Sequence, residues 1–461
     1  MRKLTVAVIA VVAAIFMCVF MLLTARADET APDVEWQRRL GGSLDDAAFS
    51  ILQTSDGGYI FAGITQSNDG DVSGNHGGQD AWIVKLNSLG EIVWQRCFGG
   101  SDDDLALSIQ QTNDGGYIFA GATKSNDGDV PGYRGGFVTW MGKFLLEYFT
   151  KLREIENSVQ DVWIVKLNAS GETEWQKCLG GSRIDVARAI QQTSDGGYIF
   201  AGATNSNNGD VSGNHGGEDA WIVKLNASGK LVWQRCFGGS GDDMATSIQQ
   251  TNDGGYIFAG WTLTGDGDVS GNNGGTDAWI VKLNASGKIV WQRCLGGSST
   301  DFANSIQQTN DGGYILAGNT DSNDGDVSGN HGKQDVWIVK LNESGEIVWQ
   351  KCLGGSGDDI AASIQQTSDG GYIFCGGTYS SDDDVSGDKD DLNAWVVKLN
   401  TSGEIAWQRR LGDTGDDLAV SIQQMSDGGF VFAGNVDFGK EDEFHKDGGD
   451  AWIVKLAPAG R

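Results

Sequence analysis

Carboxylates and a hydroxyl stand at alternate positions in Asn68-Asp69-Gly70-Asp71-Val72-Ser73-Gly74, and a further carboxylate follows at Asp80. Asp69, Asp71 and Ser73 fill places 1, 3 and 5 of a loop with Gly74 at 6 and Asp80 at 12, the spacing at which oxygen ligands converge on calcium. The pattern returns at Asp266, Asp268, Ser270 and Asp277, and at Asp324, Asp326, Ser328 and Asp335. Weaker copies start at Asn208, keeping Asp210, Ser212 and Asp219, and at Asp382, with Asp384, Ser386 and then Asn393 in the last place. Another has Pro131 in place of the serine and its final aspartate displaced to Asp161. One expectation is therefore structural calcium in these loops. The other needs no ion: Asp-Gly turns, with the final aspartate capping the backbone of the next strand. Flanking strands instead of helices favour the turn.

A second acidic motif, Gly41-Gly42-Ser43-Leu44-Asp45-Asp46, ends on an aspartate that recurs at Asp104, Asp185, Asp243, Asp301, Asp359 and Asp417. A carboxylate where the chain bends into a strand accepts backbone N–H groups, and that is its expected role. His76, His215 and His331 share one loop position, and His445 stands apart. None has the spacing of a zinc pair or a nucleophile partner, so loop polarity accounts for them. Cys97, Cys178, Cys236, Cys294 and Cys352 also share one position. Equivalent points on sheets packed ~10 Å apart exceed the ~7 Å Cα limit of a disulfide, so these are expected to be buried thiols. Cys375 lies on a different strand, from which it could approach one of them. Asn168, Asn226, Asn284, Asn342 and Asn400 open formal glycosylation sequons at Ser-Gly turns, where turn chemistry explains them.

These loops are carried by one repeated unit. A Trp-Gln pair occurs at Trp36, Trp94, Trp175, Trp233, Trp291, Trp349 and Trp407, with spacings of 58 residues except one of 81. A second tryptophan recurs at Trp82, Trp163, Trp221, Trp279, Trp337, Trp395 and Trp452, so only Trp140 and Trp261 of the 16 fall outside the pattern. Within a unit, alternation and Asp-Gly turns predict four strands: Ser108 to Thr112, Tyr117 to Gly121, the Trp strand, and the Trp-Gln strand. Four short strands repeated seven times predict a single all-β, seven-bladed propeller over residues 35–457. The chain opens on a fourth strand, Glu35 to Leu40, and ends on a third, Ala451 to Leu456. Pairing them closes the ring and removes an exposed edge.

The long spacing contains Phe137 to Gln160, where Trp140, Phe144, Tyr148, Leu152 and Ile155 recur at helical spacing. An amphipathic helix inserted in blade 2 is expected over 137–160, with Trp140, Phe144 and Tyr148 as candidate binding residues. Packing on the propeller is the simpler role for its apolar stripe.

Composition bounds the partners. With 33 Lys and Arg against 62 Asp and Glu, the net charge of -29 disfavours nucleic acid, whose phosphates need a basic face. Seventy glycines and three prolines with this many tryptophans describe a turn-rich packed chain. Residues 1–27 join Arg2 and Lys3, an apolar run from Leu4 to Leu23 and Ala25-Arg26-Ala27 in the order of a secretory signal, ahead of a short linker over 28–34. The run is also about long enough to act as an uncleaved anchor, the single expected membrane contact.

The segments from Leu353 to Thr378 and from Asn393 to Trp407 resemble the SBBP-type β-propeller repeat of secreted and surface bacterial proteins, and the likeness runs from Trp36 to Leu456. The resemblance implies the propeller fold and export, and some members carry endoglucanase-like or lipoprotein labels. The leading expectation is a noncatalytic, monomeric, extracytoplasmic binding or scaffold protein that presents an acidic loop face, stabilised by calcium where the loops bind it, to a surface protein or glycan. The alternative is a glycan-active hydrolase. A glycosidase needs two acids in distinct environments, and sevenfold repetition singles out no such pair.

Overall fold

The computed structural model describes residues 30–132, 160–386, 391–412, 415–436 and 448–458. It contains seven four-stranded antiparallel sheets. Blade 1 comprises Asp46–Gln53, Tyr59–Thr65, Asp80–Leu86 and Ile92–Phe98, ordered from the ring centre outward. The inner strands of blades 2 to 6 begin at Asp104, Asp185, Asp243, Asp301 and Asp359, each contacting the next around a central channel. Inner strands start about four residues earlier than alternation predicted, at the aspartate of the acidic link. The described residues contain no helix. The helix expected over 137–160, with Trp140, Phe144 and Tyr148, falls almost wholly on residues outside the described ones, as does the signal-like segment; Gln160 leads directly into a strand at Asp161.

Blade 7 joins both ends of the chain: Val34–Leu40 pairs antiparallel with Asp450–Leu456, with Leu40 opposite Ala451 and Trp36 opposite Lys455. The strand predicted from Glu35 is thus the fourth strand of the last blade. Asp33 continues the pairing by accepting from the Ala457 N–H at 2.9 Å.

Two tryptophan sets hold the ring in different ways. Trp82 and its equivalents are fully buried inside their blades and donate to a glutamine on the outer strand, as Trp82 Nε1 does to Gln95 Oε1 at 3.0 Å. Trp94 and its equivalents pack edge-on against the tyrosine of the following blade, from Trp36–Tyr59 at 5.5 Å to Trp349–Tyr372 at 5.8 Å, with Phe430 taking the tyrosine's place against Trp407. Each such ring removes ~150–250 Å² from water, so the repeat supplies its own glue at every junction.

The glutamine that ends each inner strand adds a polar ring. Gln111, Gln192, Gln250, Gln308, Gln366 and Gln424 each accept a backbone N–H from the turn of the preceding blade, and Gln53 accepts from Ser426 at 3.0 Å to complete the circle. Beneath the outer strands, Lys85 and its equivalents are buried amines, each tied to a turn aspartate or glutamate, as Lys85 is to Asp56 at 3.0 Å. Burial opposes ionisation of Asp56, but Thr54, the Gly58 N–H and Lys85 hold its pKa down at about 2.

Candidate functional site

The acidic links and the loops between second and third strands meet on one face. Asp46 Oδ2 accepts from the Gly42 N–H at 2.7 Å and from Ser67 Oγ at 2.8 Å, and Asp104, Asp185, Asp301 and Asp359 repeat both bonds. The capping role read for this aspartate is what the geometry provides. It explains why the residue is buried in every blade, since a short side chain here satisfies the turn from inside.

The calcium loops assemble differently from a cation cage. Asp69 Oδ1 accepts from the Ser43 N–H at 2.8 Å, with Asp266 and Asp324 doing the same to Ser240 and Ser298. Ser73 Oγ accepts from Gln95 Nε2 at 2.6 Å, and Ser270 and Ser328 accept from Gln292 and Gln350. Asp80, Asp277 and Asp335 turn into the blade junction, fully buried, while Asp71, Asp268 and Asp326 bind the link through their backbone N–H groups. Among the described residues no group of three or more candidate ligands is placed to hold an ion. These bonds are those of a turn, with Asp69 Oδ1 held by the backbone and Ser73 Oγ by the outer strand.

The final aspartates, read as backbone caps, accept a backbone N–H as Asp80 Oδ2 does from His76 at 3.1 Å, and they also meet an acid of the next blade. Asp80 Oδ1 of blade 1 and Asp104 Oδ2 of blade 2 each lie 2.7 Å from where a Cβ on Gly99 would sit, so they are separated by no more than about twice that distance. Gly41, Gly180, Gly238, Gly296 and Gly354 are flanked in the same way by Asp450 and Asp46, Asp161 and Asp185, Asp219 and Asp243, Asp277 and Asp301, and Asp335 and Asp359. At the seventh junction Asn393 replaces the first acid, opposite Asp417. Asp80, Asp277 and Asp335 each leave Oδ1 buried without a hydrogen bond. Burial raises the pKa of Asp80 to about 6 against the pull of His76, and raises Asp277 to about 6 with Asp301 and Asp326 adding to it. Alanine at Gly99 would drive a methyl group into both carboxylates. Gly99→Ala is expected to lose about 1–3 kcal/mol in urea unfolding, as overpacked sites do.

The histidines, read as loop polarity, prove to be clasps between blades. His76 Nδ1 lies 2.7 Å from Asp80 Oδ2 in its own blade, and its Nε2 lies 3.9 Å from Asp129 of the next. His215 reaches Asp219 and Asp268, and His331 reaches Asp335 and Asp384, in the same way. Burial would lower the pKa of His76 and His331, but the carboxylates around them hold both above the usual value. Among the described residues no cysteine forms a disulfide: Cys97, Cys236, Cys294 and Cys352 are buried with pKa pushed to about 12 by burial, and Cys375 is fully buried beside Ser363.

At one set of positions every blade carries a different residue. In every inner strand the register slips at the fourth residue: Ala48 pairs Gly63 and Ser50 pairs Ala62, leaving Phe49 as a bulge. The equivalent residues are Leu107, Arg188, Thr246, Asn304, Ala362 and Val420. All seven are half-buried and no two are alike. Bulges re-aim side chains and cluster at sites of function. Around the ring, blades 6, 7, 1 and 2 contribute Ala362, Val420, Phe49 and Leu107, an apolar arc, and blades 3 to 5 contribute Arg188, Thr246 and Asn304, a polar one. Phe49 and Leu107 pack on a buried cluster that includes Ala47, Leu105, Val186 and Met244. Thr246 Oγ1 donates to Ala303 O at 2.7 Å and Asn304 Nδ2 to Ala361 O at 2.8 Å, so the polar arc is set by the neighbouring blade. Aligning the repeats would have exposed this variation; the bulge that gives it meaning is visible only in the pairing.

No family model matches the chain. A stretch of 222 residues is 22% identical to the regulatory protein FlaEY of Caulobacter vibrioides, covering 45% of this chain and 21% of that protein, so the chain spans about a fifth of the curated relative it matches. Solved structures of similar shape include the WD40 domain of Pan2 from Neurospora crassa, with TM-score 0.44, 12% identity, and coverage of 91% of this chain and 98% of that one. BamB from Moraxella catarrhalis gives 0.41 and 13%, covering 92% and 100%, and Sqt1 from Chaetomium thermophilum gives 0.43 and 12%, covering 87% and 82%. The propeller assignment rests on this chain's own strand order and closure.

Proposed function

We propose that this protein is a noncatalytic binding propeller that works outside the cytoplasm and seats a protein partner at the loop-face mouth of its channel. The observation that carries the reading is the bulge ring, in which one position differs in all seven blades while the turns, caps and tryptophans around it repeat. A position outside the ladder constrains its side chain less than a paired one, and its division into one apolar and one polar arc reads as recognition. The acidic loop face, with exposed Asp69, Asp127, Asp266, Asp324 and Asp382, supplies long-range steering of a basic partner. Export is supported by the signal-like order of residues 1–27 and by the SBBP-type resemblance. The glycan-hydrolase alternative has no observation in its favour: apart from half-buried Asp450, the acids paired at the blade junctions are fully buried, which withholds them from a glycoside.

The test is site-specific photo-crosslinking at Leu107, with Asn113 on the opposite face as the control position. A partner labelled from Leu107 and not from Asn113, and bound at least ~10-fold more weakly by Phe49→Ala/Leu107→Ala, is the expected result, ~1.4 kcal/mol being tenfold in affinity. Equal labelling from both faces, or unchanged affinity in the double variant, overturns it.

A further inference from the structure

The outer surface of blades 2 to 4 reverses a charge pattern kept at the turns of blades 1, 2, 5 and 6, which carry Glu91, Glu172, Glu346 and Glu404. Each fourth strand carries a cation two residues after its tryptophan. Arg96 pairs with Glu172, and Lys351 with Glu404 at 2.7 Å. Arg293 donates to Ser344 O at 3.0 Å, two residues before Glu346. At the two junctions between blades 2 and 4 the acid is replaced: the corresponding residues are Lys177 with Lys230, and Arg235 with Lys288. Among the described residues none of these four cations forms an ion pair, in a chain of net charge -29.

A cavity of about 480 Å³ opens at the second of these junctions, lined by Arg235 and Lys288 with His215, Gln234, Ser212 and Asp268. Asp268 is held against His215 Nε2 at 3.9 Å, which leaves the two basic side chains facing the space. Beside them Leu231, Val232 and Val290 are 44%, 57% and 58% exposed. The strand that bears Arg235, Leu231–Phe237, is the outer edge of its sheet, so its backbone presents an unpaired side to solvent.

From the reversed ion pair, the cavity and the free edge together, we infer that the rim of blades 3 and 4 binds an extended acidic peptide segment. The segment adds to the edge strand of blade 3, its carboxylates meet Arg235 and Lys288, and its alternate apolar side chains cover Val232 and Val290. The overall negative field repels polyanions, so an acidic ligand is retained only where a local basic site overrides it. The site lies on the circumference and does not rest on the channel-mouth reading.

The experiment uses the whole chain and a fluorescent octapeptide of alternating glutamate and valine at low salt. Lys230→Glu/Lys288→Glu installs the acid that other blades already carry at these places, so the ring is expected to fold with an unchanged or higher melting temperature. Peptide binding is expected to weaken at least ~10-fold in that variant and again in Arg235→Gln, by the loss of charge-assisted bonds. No binding to the wild type, equal binding by both variants, or displacement of the peptide by sulfate or polygalacturonate as readily as by itself overturns the inference.

Discussion

Taking the protein from about pH 8 to about pH 5.5 is expected to raise its melting temperature by roughly 5 °C, the opposite of what a chain dependent on exposed ion pairs would do. The cause is the circle of buried acid pairs at the blade junctions. Asp80, Asp185, Asp243 and Asp277 have folded-state pKa values raised by burial to about 6, from 3.8 in the open chain. A carboxyl that holds its proton more tightly when folded contributes stability that is complete below pH 3.8 and is lost as pH rises through about 6. His76 and His331, also raised, act in the same direction, their contribution fading as pH climbs above the usual histidine value of 6.5. The lysine-paired aspartates run the other way: Asp56, Asp114, Asp195 and Asp253, held at about 2, contribute above 3.8 and fail as pH falls toward 2. The stability maximum should therefore lie on the acid side of neutrality and decline below about pH 4. Asn393 shows that one junction already does without the first acid. Asp277→Asn is expected to raise stability at pH 8 by about 1–3 kcal/mol and to flatten the pH slope, because it removes a buried charge and keeps the acceptor for the Asn273 N–H. Calorimetric scans across this range decide it: a melting temperature that falls on acidification through pH 6, or a destabilised Asp277→Asn, would refute the assignment.

Removing residues 30–40 should cost on the order of 5 kcal/mol or more, a large share of the stability of any domain. The missing strand carries Trp36, which packs on Tyr59 of blade 1, and Glu35, which pairs with the buried amine of Lys455 at 3.0 Å. It also carries Arg38, whose Nη2 donates to Leu89 O at 2.8 Å across the junction. Without it, blade 7 keeps three strands and exposes an unpaired edge beside an unfilled aromatic cleft. Thermal melting of the truncated chain, with and without a synthetic peptide of residues 30–42 added in trans, measures the effect. A large drop reversed by the peptide is expected; a truncated chain that melts with the intact one would show that closure holds nothing.

The fold was legible because its information is local and repeated. Trp36 through Trp407 and Trp82 through Trp452 fix the unit, and the Asp-Gly and Ser-Gly turns fix the hairpins. Even the closure could be read, since Glu35 to Leu40 lacks a partner in its own unit and Ala451 to Leu456 lacks the complement. The site was less legible because its geometry joins different units. Asp80 and Asp104 are 24 residues apart, belong to different repeats, and meet only once blades pack side by side. His76 looked like a polar loop residue for the same reason, since Asp129 lies in the next blade. The partners of the loop around Asp69 were equally hidden: once folded, Asp69 accepts from the Ser43 N–H and Asp80 is buried at the junction.

The bulge at the fourth residue of each inner strand has a consequence for how such a protein diversifies. A side chain at a bulge can be exchanged without breaking a strand pairing, so substitutions there leave the sheet's own hydrogen bonds intact. Seven such places, one per blade, form a mosaic whose tiles can be exchanged singly while the frame stays fixed. A gene built by copying one unit can in this way acquire a new specificity without first acquiring a new architecture.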